Sequence, residues 1–454
     1  MTPKLTEFLS QHLTAVDFDS IVTVEAKVCQ TFDDLIRKYK SHLTVTTSME
    51  DCLAVCCAVH LAVKMDGDPL WIYLVGAPSS GKSTICELLS ADEFNTRPLS
   101  KFTGLISGSK NGSHLAPKLH NKCVIVKDGT LLLECTPAQL SNVFGELRDI
   151  SDGSIEVHYR NGVVASFRNI SFGLIIGITE KVYGLNMAAL GERFLHCRLE
   201  TERETELSRN LQAMRTVFQE THRTGTDEDQ EDQRAFPLQK SYTAGFLSHL
   251  HDLVANHDIL RPQYTEEDML YIQAMADIVS CSRARTSKDF KDNILYESRP
   301  ETTTRVVKHL SRLALSLCYV YNVKHITNTI RRVLKKITLD TAHSRQYHVI
   351  NTLAKSKKLT RHQLADQSEL EYETCRKIVL DLLALDIVSE TRQSGYNKRG
   401  VNPNLLSLAP WIQKAFSYGD APEANSPPFA KKKRIIPSSR PRPIRKVKKE
   451  SSSS

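Results

Sequence analysis

Eight consecutive residues, Gly76-Ala77-Pro78-Ser79-Ser80-Gly81-Lys82-Ser83, satisfy the spacing G-x-x-x-x-G-K-[ST]. In a loop of this kind glycines let backbone N–H groups close around a β-phosphate. Lys82 would reach the β- and γ-phosphates, and the Ser83 hydroxyl would bind Mg²⁺. Residues Gly76 through Thr84 are therefore the predicted contacts of a nucleoside triphosphate. The flanks support the motif. Leu70-Trp71-Ile72-Tyr73-Leu74-Val75 reads as a buried strand, and Thr84 to Leu89 as the opening of a helix, so the phosphate would sit at a helix N-terminus.

Hydrolysis further needs an acid near Mg²⁺ and the attacking water. Asp128 ends the apolar run Cys123-Val124-Ile125-Val126 after Lys127 and is followed by Gly129. It fits either the Mg²⁺-side acid, which with Ser83 makes the predicted metal set, or the water-activating position; a strand-end cap is the plainer role. Thr179 ends the run Phe172–Ile178, where a hydroxyl can position the attacking water or sense the γ-phosphate. Arg193 lies between the small-residue stretch Asn186-Met187-Ala188-Ala189 and the strand Leu195–Leu199. On such a corner an arginine can point out of its own subunit toward a neighbour's γ-phosphate. Arg305, at the start of a helix with Val306, Leu310, Leu313, Leu317 and Val320 on one face, could reach back to a phosphate.

These residues need a scaffold. The chain of 454 residues is long enough for two or three domains. Residues 1–66 read as helical, 67–220 as an α/β part entered through the turn Asp66-Gly67-Asp68-Pro69, and 221–340 as a helical region with an acidic surface loop at 222–236. Residues 240–340 read as helix. Ile155–Arg168 alternates around Asn161-Gly162, which suits a two-residue hairpin turn. No apolar run reaches the roughly 18 residues needed to span a bilayer, and MTPKLTEFLSQHL lacks the apolar core of a secretory signal. The eleven cysteines fit reduced core thiols. With no C-x-x-C pair, no H-E-x-x-H and scattered histidines, no zinc site is predicted. Much of the formal net charge of +8 lies after Lys431. The segment 420–454 reads as a disordered basic tail. A solubilising end, a salt-sensitive nucleic-acid contact and a nuclear address in a eukaryotic host all fit it.

In order and spacing, GDPLWIYLVGAPSSGKST, VIVKDGT, LRDISDGS, FGLIIGIT, LGERFLHCRL and ETTTRVVKHLSRLAL resemble the AAA+ ATPases, and within them the MCM-like helicases and the replication ATPases of phages and integrating elements. The likeness spans about residues 50–340. It implies an AAA+ P-loop core with a helical lid, Thr179 as sensor 1, Arg193 as an arginine finger acting in trans, Arg305 as sensor 2 and ATP with Mg²⁺ as cofactors. It implies a homo-oligomeric ring, expected as a hexamer. The hairpin Ser154–Arg168 takes the place of the pre-sensor-1 hairpin, with Arg160 and His158 beside its turn as DNA contacts. The sequence departs from the family in lacking an Asp-Glu pair at Asp128.

Residues 343–412 read as three short helices and a basic hairpin, Arg392–Gly400, and resemble a winged helix-turn-helix. Helix one buries Val349, Ile350 and Leu353. Helix two begins near Thr360. Helix three, about Leu370–Leu385, buries Cys375, Ile378, Val379 and Leu382 and turns Tyr372, Arg376 and Lys377 outward. With Lys398 and Arg399 of the wing, these three are the candidate DNA contacts. The expected activity is an ATP-dependent DNA helicase or translocase in the replication of a phage or mobile element. It would partner with that element's primase or polymerase, not with membrane, and reside in the cytoplasm, at the nucleoid in a prokaryote. The alternatives are a helicase loader or remodeller that does not unwind, and a DNA-binding regulator switched by ATP.

Overall fold

In the computed structural model the described residues are 27–41, 43–99, 105, 114–158, 162, 164–184, 193–200, 214, 227–255, 262–284, 286–288, 294–297, 302–342, 344–392, 396–397, 400–401 and 404–417. Two helices lead in, α1 (Phe32–Lys40) and α2 (Thr47–Ala62), each with a threonine N-cap. Five parallel strands follow, β1 (Trp71–Val75), β2 (Thr96–Leu99), β3 (Cys123–Val126), β6 (Gly173–Ile178) and β7 (Phe194–Arg198). They are ordered β2-β3-β6-β1-β7, with β4 (Ser154–His158) and β5 (Val164–Arg168) forming a hairpin between β3 and β6. From β1 the chain jumps to the far edge, returns through β3 and β6, and passes β1 to reach β7. The topology reverses around β1, where open α/β sheets place their ligands.

The strands are apolar on both sides because both sides are covered. Trp71, Tyr73, Val75, Val124, Val126, Leu174 and Ile176 face one core. Its other wall is α4 (Ala116–Leu119), α5 (Thr130–Glu134), α6 (Pro137–Ser151) and the hairpin residues Ile155 and Ala165. Ile72, Leu74, Ile125, Ile175, Leu195 and Cys197 face the other core. There they meet α2, α3 (Lys82–Leu89), α7 (Asp227–Ala255), α8 (Glu266–Arg283), α9 (Thr304–Val320) and α10 (Asn328–Thr341). Arg312 of α9 fastens the entry to β1 by donating to the carbonyls of Asp68, Ala62 and Met65, the last two at the end of α2.

The outer edge of β7 is closed by side chains of α10. The Arg198 N–H donates to Asp340 Oδ2 at 2.8 Å and the His196 N–H to Thr341 Oγ1 at 2.9 Å. An edge strand is thereby satisfied by a helix instead of a further strand. Lys336 Nζ donates to Asp340 and to the Arg198 carbonyl, and the Arg198 guanidinium lies between the rings of Tyr183 and Tyr347. Burial disfavours the Lys336 charge, but Asp340 more than offsets this and holds its pKa well above the usual lysine value.

The C-terminal part continues through α11 (Ser344–Ser356), α12 (Arg361–Gln367), α13 (Tyr372–Ala384), β10 (Val388–Thr391), β11 (Tyr396–Asn397), β12 (Gly400–Val401), β13 (Leu405–Leu408) and α14 (Pro410–Ser417). β10 pairs antiparallel with β13, and Leu359 bridges to Leu406 beside them. As the sequence predicts, Val349, Ile350, Leu353, Cys375, Ile378, Val379 and Leu382 are buried. Thr360 and Gln363 form a reciprocal capping box on α12.

Two expectations are corrected. The segment 222–236 is not all loop, since α7 begins at Asp227. The span 240–340 is not wholly helical. Among the described residues β8 (Thr286–Lys288) pairs with β9 (Ile294–Glu297) across a bulge. The edge strand β2 carries no apolar run to announce it. The expected Asn161-Gly162 turn falls mostly outside the described residues; the hairpin's ladder runs from Ser154↔Arg168 to His158↔Val164, and Gly162 takes φ +80°. All eleven cysteines are unbridged. Among the described residues no helix is long and apolar enough to cross a membrane. The tail 420–454 lies outside the described residues.

Asp340→Ala would strand the buried Lys336 ammonium and orphan the Arg198 N–H. Removing one partner of such a pair costs about 3–5 kcal/mol. Urea unfolding is expected to show a loss of that size; a loss under 1 kcal/mol would mean the edge closure contributes little.

Candidate functional site

The phosphate loop leaves β1 at its C-terminal end. Ser79 (φ +60°) and Gly81 (φ +101°) both take left-handed backbone, and the latter ends the loop at the first residue of α3. Gly81 is the N-cap but offers no side-chain acceptor, and the first turn holds no acid. The leading N–H groups of α3 therefore lack a protein cap, the condition under which a helix N-terminus takes an anion. Gly76 and Ser80 are buried while Ala77, Pro78, Ser79 and Ser83 are exposed. The Lys82 ammonium folds back to the Gly76 and Ala77 carbonyls at 2.8 and 2.6 Å. Burial lowers its pKa, with Asp128 acting in the opposite sense.

Strand β6 lies between β1 and β3, and its last carbonyls join the three strand ends. The Gly76 N–H donates to the Ile178 carbonyl at 3.2 Å, and the Gly129 N–H to the Gly177 carbonyl at 2.7 Å. Thr179 is thus placed between the loop and Asp128. Its hydroxyl is buried and has no hydrogen-bond partner in the protein. An orphaned buried hydroxyl at this point fits a ligand group that the protein itself does not supply. Asp128 is exposed and accepts through Oδ1 from the Thr130 N–H at 2.9 Å and from the Thr130 hydroxyl. Those two hydrogen bonds, with help from Lys82, hold its pKa below the usual carboxylate value. Lys127 turns away and pairs with Glu87 Oε1 at 3.0 Å.

The two arginines lie elsewhere. Arg193 immediately precedes β7 and Arg305 opens α9, at the N-terminal edge of the sheet. This is about 16 Å from the loop, the length of a five-residue strand. Both guanidinium groups meet Asp152. Arg193 Nη2 lies 3.0 and 2.9 Å from its two oxygens, and Arg305 Nη2 lies 3.4 Å from Oδ1. Arg305 therefore does not reach back to its own phosphate loop, because the sheet separates them. Nor does Arg193 project outward: its side chain is 5% exposed against 39% for Arg305. Packing at the start of the edge strand β7 encloses it. Burial and the nearby Arg305 push the Arg193 pKa down, opposed by Asp152. A cleft of about 780 Å³ is at this edge and is lined by Asp68, Asp152, Ser171, Arg305 and Lys308, not by the phosphate loop.

A second groove, about 610 Å³, was not evident in the sequence because it joins segments far apart in the chain. It is lined by Thr46, Ser48, Glu200, Arg332, Tyr347 and Asn351. Ser48 Oγ accepts from the Glu200 N–H, and Glu200 follows Leu199, whose N–H donates to the Val75 carbonyl beside the loop.

Among the candidate DNA contacts, His158 is exposed but bound to Glu156 Oε1 at 2.8 Å on the same face of the hairpin. Tyr372 stacks on His362 with centroids 4.4 Å apart, Arg376 pairs with Glu373 at 2.8 Å, and Lys377 is exposed. Arg160, Lys398 and Arg399 lie outside the described residues. No protein-family model matches the chain, and a search of curated proteins finds no match either.

Thr179→Val removes a buried hydroxyl that has no protein partner and keeps the shape. Such a change is close to neutral for folding. If the hydroxyl serves a bound triphosphate, thermal unfolding of the free protein is expected to stay unchanged while ATP turnover falls at least about tenfold. A clear loss of stability would instead reveal a structural role.

Proposed function

We propose that the chain is an AAA+ ATPase of the MCM-like type that works as an oligomer on DNA, as a helicase or translocase. The observation that carries this reading is the division of the site between the two ends of one sheet. The loop, Thr179 and Asp128 are together at one end, and Arg193 and Arg305 share Asp152 at the other. No single subunit can bring the two halves to one phosphate, whereas a head-to-tail neighbour can.

On this reading Gly76 to Thr84 hold the triphosphate of ATP, with the base and sugar directed to the groove of Ser48 and Tyr347. Ser83 and Asp128 hold Mg²⁺, which screens phosphate charge and orients the phosphate oxygens. Thr179 orients the attacking water through its unpartnered hydroxyl. The neighbour's Arg305, the more exposed of the pair, leads, and Arg193 backs it once Asp152 yields its hold. The C-terminal arrangement of α11, the Leu359 bridge, α12, α13 and the β10–β13 ladder supports a winged helix, with Tyr372, Arg376 and Lys377 on its third helix as the DNA-facing set. Glu156 against His158 leaves Arg160 as the cation proposed to grip a DNA phosphate from the hairpin.

Two measurements test this. Lys82→Ala and Arg305→Ala chains, each expected to lose about 10²-fold or more in ATPase activity, should recover activity when mixed. In an equal random mixture roughly a quarter of the boundaries pair an intact loop with intact arginines. No recovery on mixing, with oligomers intact, would rule out action in trans. Separately, ATP-dependent displacement of an annealed DNA strand is expected. DNA-stimulated hydrolysis without displacement would move the assignment to a loader or remodeller.

A further inference from the structure

Three side chains far apart in the sequence meet inside the protein on the side of α3 away from the phosphate loop. His60 belongs to the last turn of α2, Asp92 follows the end of α3, and His251 lies near the end of α7. His60 is 1% exposed, and the side chains of Asp92 and His251 are 10% and 12% exposed. His251 Nε2 lies 3.2 Å from His60 Nδ1 and 3.6 Å from Asp92 Oδ2, and one ligand atom from each residue lies within 4.8 Å of the others. Two donors on one tetrahedral ion at about 2.0–2.2 Å are roughly 3.3 Å apart, so the two spacings to His251 Nε2 fit a shared ion, while Asp92 Oδ2 lies 3.7 Å from His60 Nε2.

The surrounding hydrogen bonds also orient the donors. His60 Nε2 is 2.9 Å from Thr96 Oγ1, and that hydroxyl donates onward to the Leu89 carbonyl at 3.3 Å. A proton on Nε2 satisfies this chain and leaves Nδ1, facing His251, with a lone pair. Asp92 is fixed by Asn95, whose N–H donates to Oδ1 at 3.1 Å and whose side-chain amide donates to Oδ2 at 2.9 Å. Metal-binding imidazoles and carboxylates are commonly held in this way by outer partners. Two imidazoles and a carboxylate suit a divalent first-row transition ion, Zn²⁺ foremost, better than Mg²⁺, which prefers an all-oxygen shell. Lys64 is a nearby charge that opposes a cation, while Asp92 and, beside His251, Asp252 favour it.

We propose that His60, Asp92 and His251 form a structural Zn²⁺-type site that ties α2, the end of the phosphate-loop helix and α7 together. No closely spaced ligand motif marks this cluster in the sequence, since two of its residues are 191 positions apart. The proposal does not depend on the ATPase reading.

The test uses the full chain, stripped with a chelator and titrated with Zn²⁺ against a chromophoric competitor, then with Co²⁺. One tightly held equivalent per chain is expected, with Co²⁺ absorption bands of a low-coordinate nitrogen–oxygen site and a rise in melting temperature on loading. His251→Ala should lose all three, while Lys82→Ala keeps them. Failure of the wild-type chain to compete for Zn²⁺ would overturn the site, a result that needs no variant to fold. Equal binding by His251→Ala and wild type would overturn it as well, by placing the ion elsewhere.

Discussion

Two consecutive carbonyls at the end of β6 determine the arrangement of the candidate site. Gly177 accepts from Gly129 on one side and Ile178 accepts from Gly76 on the other, so three strand ends are joined through one. This requires very close approach. A Cβ at position 177 would lie 2.6 Å from the Lys127 carbonyl oxygen, and one at position 129 would lie 2.6 Å from Ile176 Cγ2. Each hydrogen bond is worth only about 1 kcal/mol net, so their main effect is positional. Thr179 follows directly and has little freedom to be anywhere but between the loop and Asp128. The rigidity comes from β1, β3 and β6, which are buried on both faces.

The same sheet separates the positive charges into two groups. Lys82 folds onto its own loop, while Arg193, Arg305 and Lys308 collect at the opposite edge around Asp152 and Asp68. At the other flank α10 is joined to β7 by Asp340, Lys336 and Thr341, all buried in whole or large part. Swinging α10 away from the sheet would break this paired network and expose its charges to poor solvation, which is expensive. A rigid connection between α10 and the sheet favours, on the proposed reading, movement between subunits over opening within one. On the proposed reading, the nucleotide would then be sensed at the boundary where Asp152 holds both arginines.

Legibility in the sequence followed the range of the interactions. The phosphate loop, β1, β3, β6 and the buried positions of α13 could be read because each is a short contiguous pattern, and Thr179 and Asp128 could be read as strand ends. Arg305 could not be placed, since its partner Asp152 is 153 residues away and only the fold shows which edge of the sheet it occupies. In the sequence Arg193 reads as an outward corner because no local feature announces its enclosure. The start of α7 reads as a loop on account of its acidity, which does not by itself exclude a helix. The His60–Asp92–His251 cluster escaped for the same reason as the groove beside Glu200: nothing local marks it.

The missing second acid can be argued from the site itself. Lys127 occupies the position before Asp128, and its charge is directed to Glu87 instead of to the loop. Asp128 is the acid that remains at this strand end, and one of its oxygens is already committed to Thr130. A carboxylate with its pKa held down by hydrogen bonds is a poor proton acceptor and a good partner for a cation. On the proposed reading, that favours the Mg²⁺-side role for Asp128 over water activation and would leave orientation of the water to the Thr179 hydroxyl. Without a strong base, hydrolysis within one subunit would be slow. Such an ATPase would, on the proposed reading, depend more heavily than usual on charge supplied by a neighbouring subunit, from the Arg305 and Arg193 pair held by Asp152.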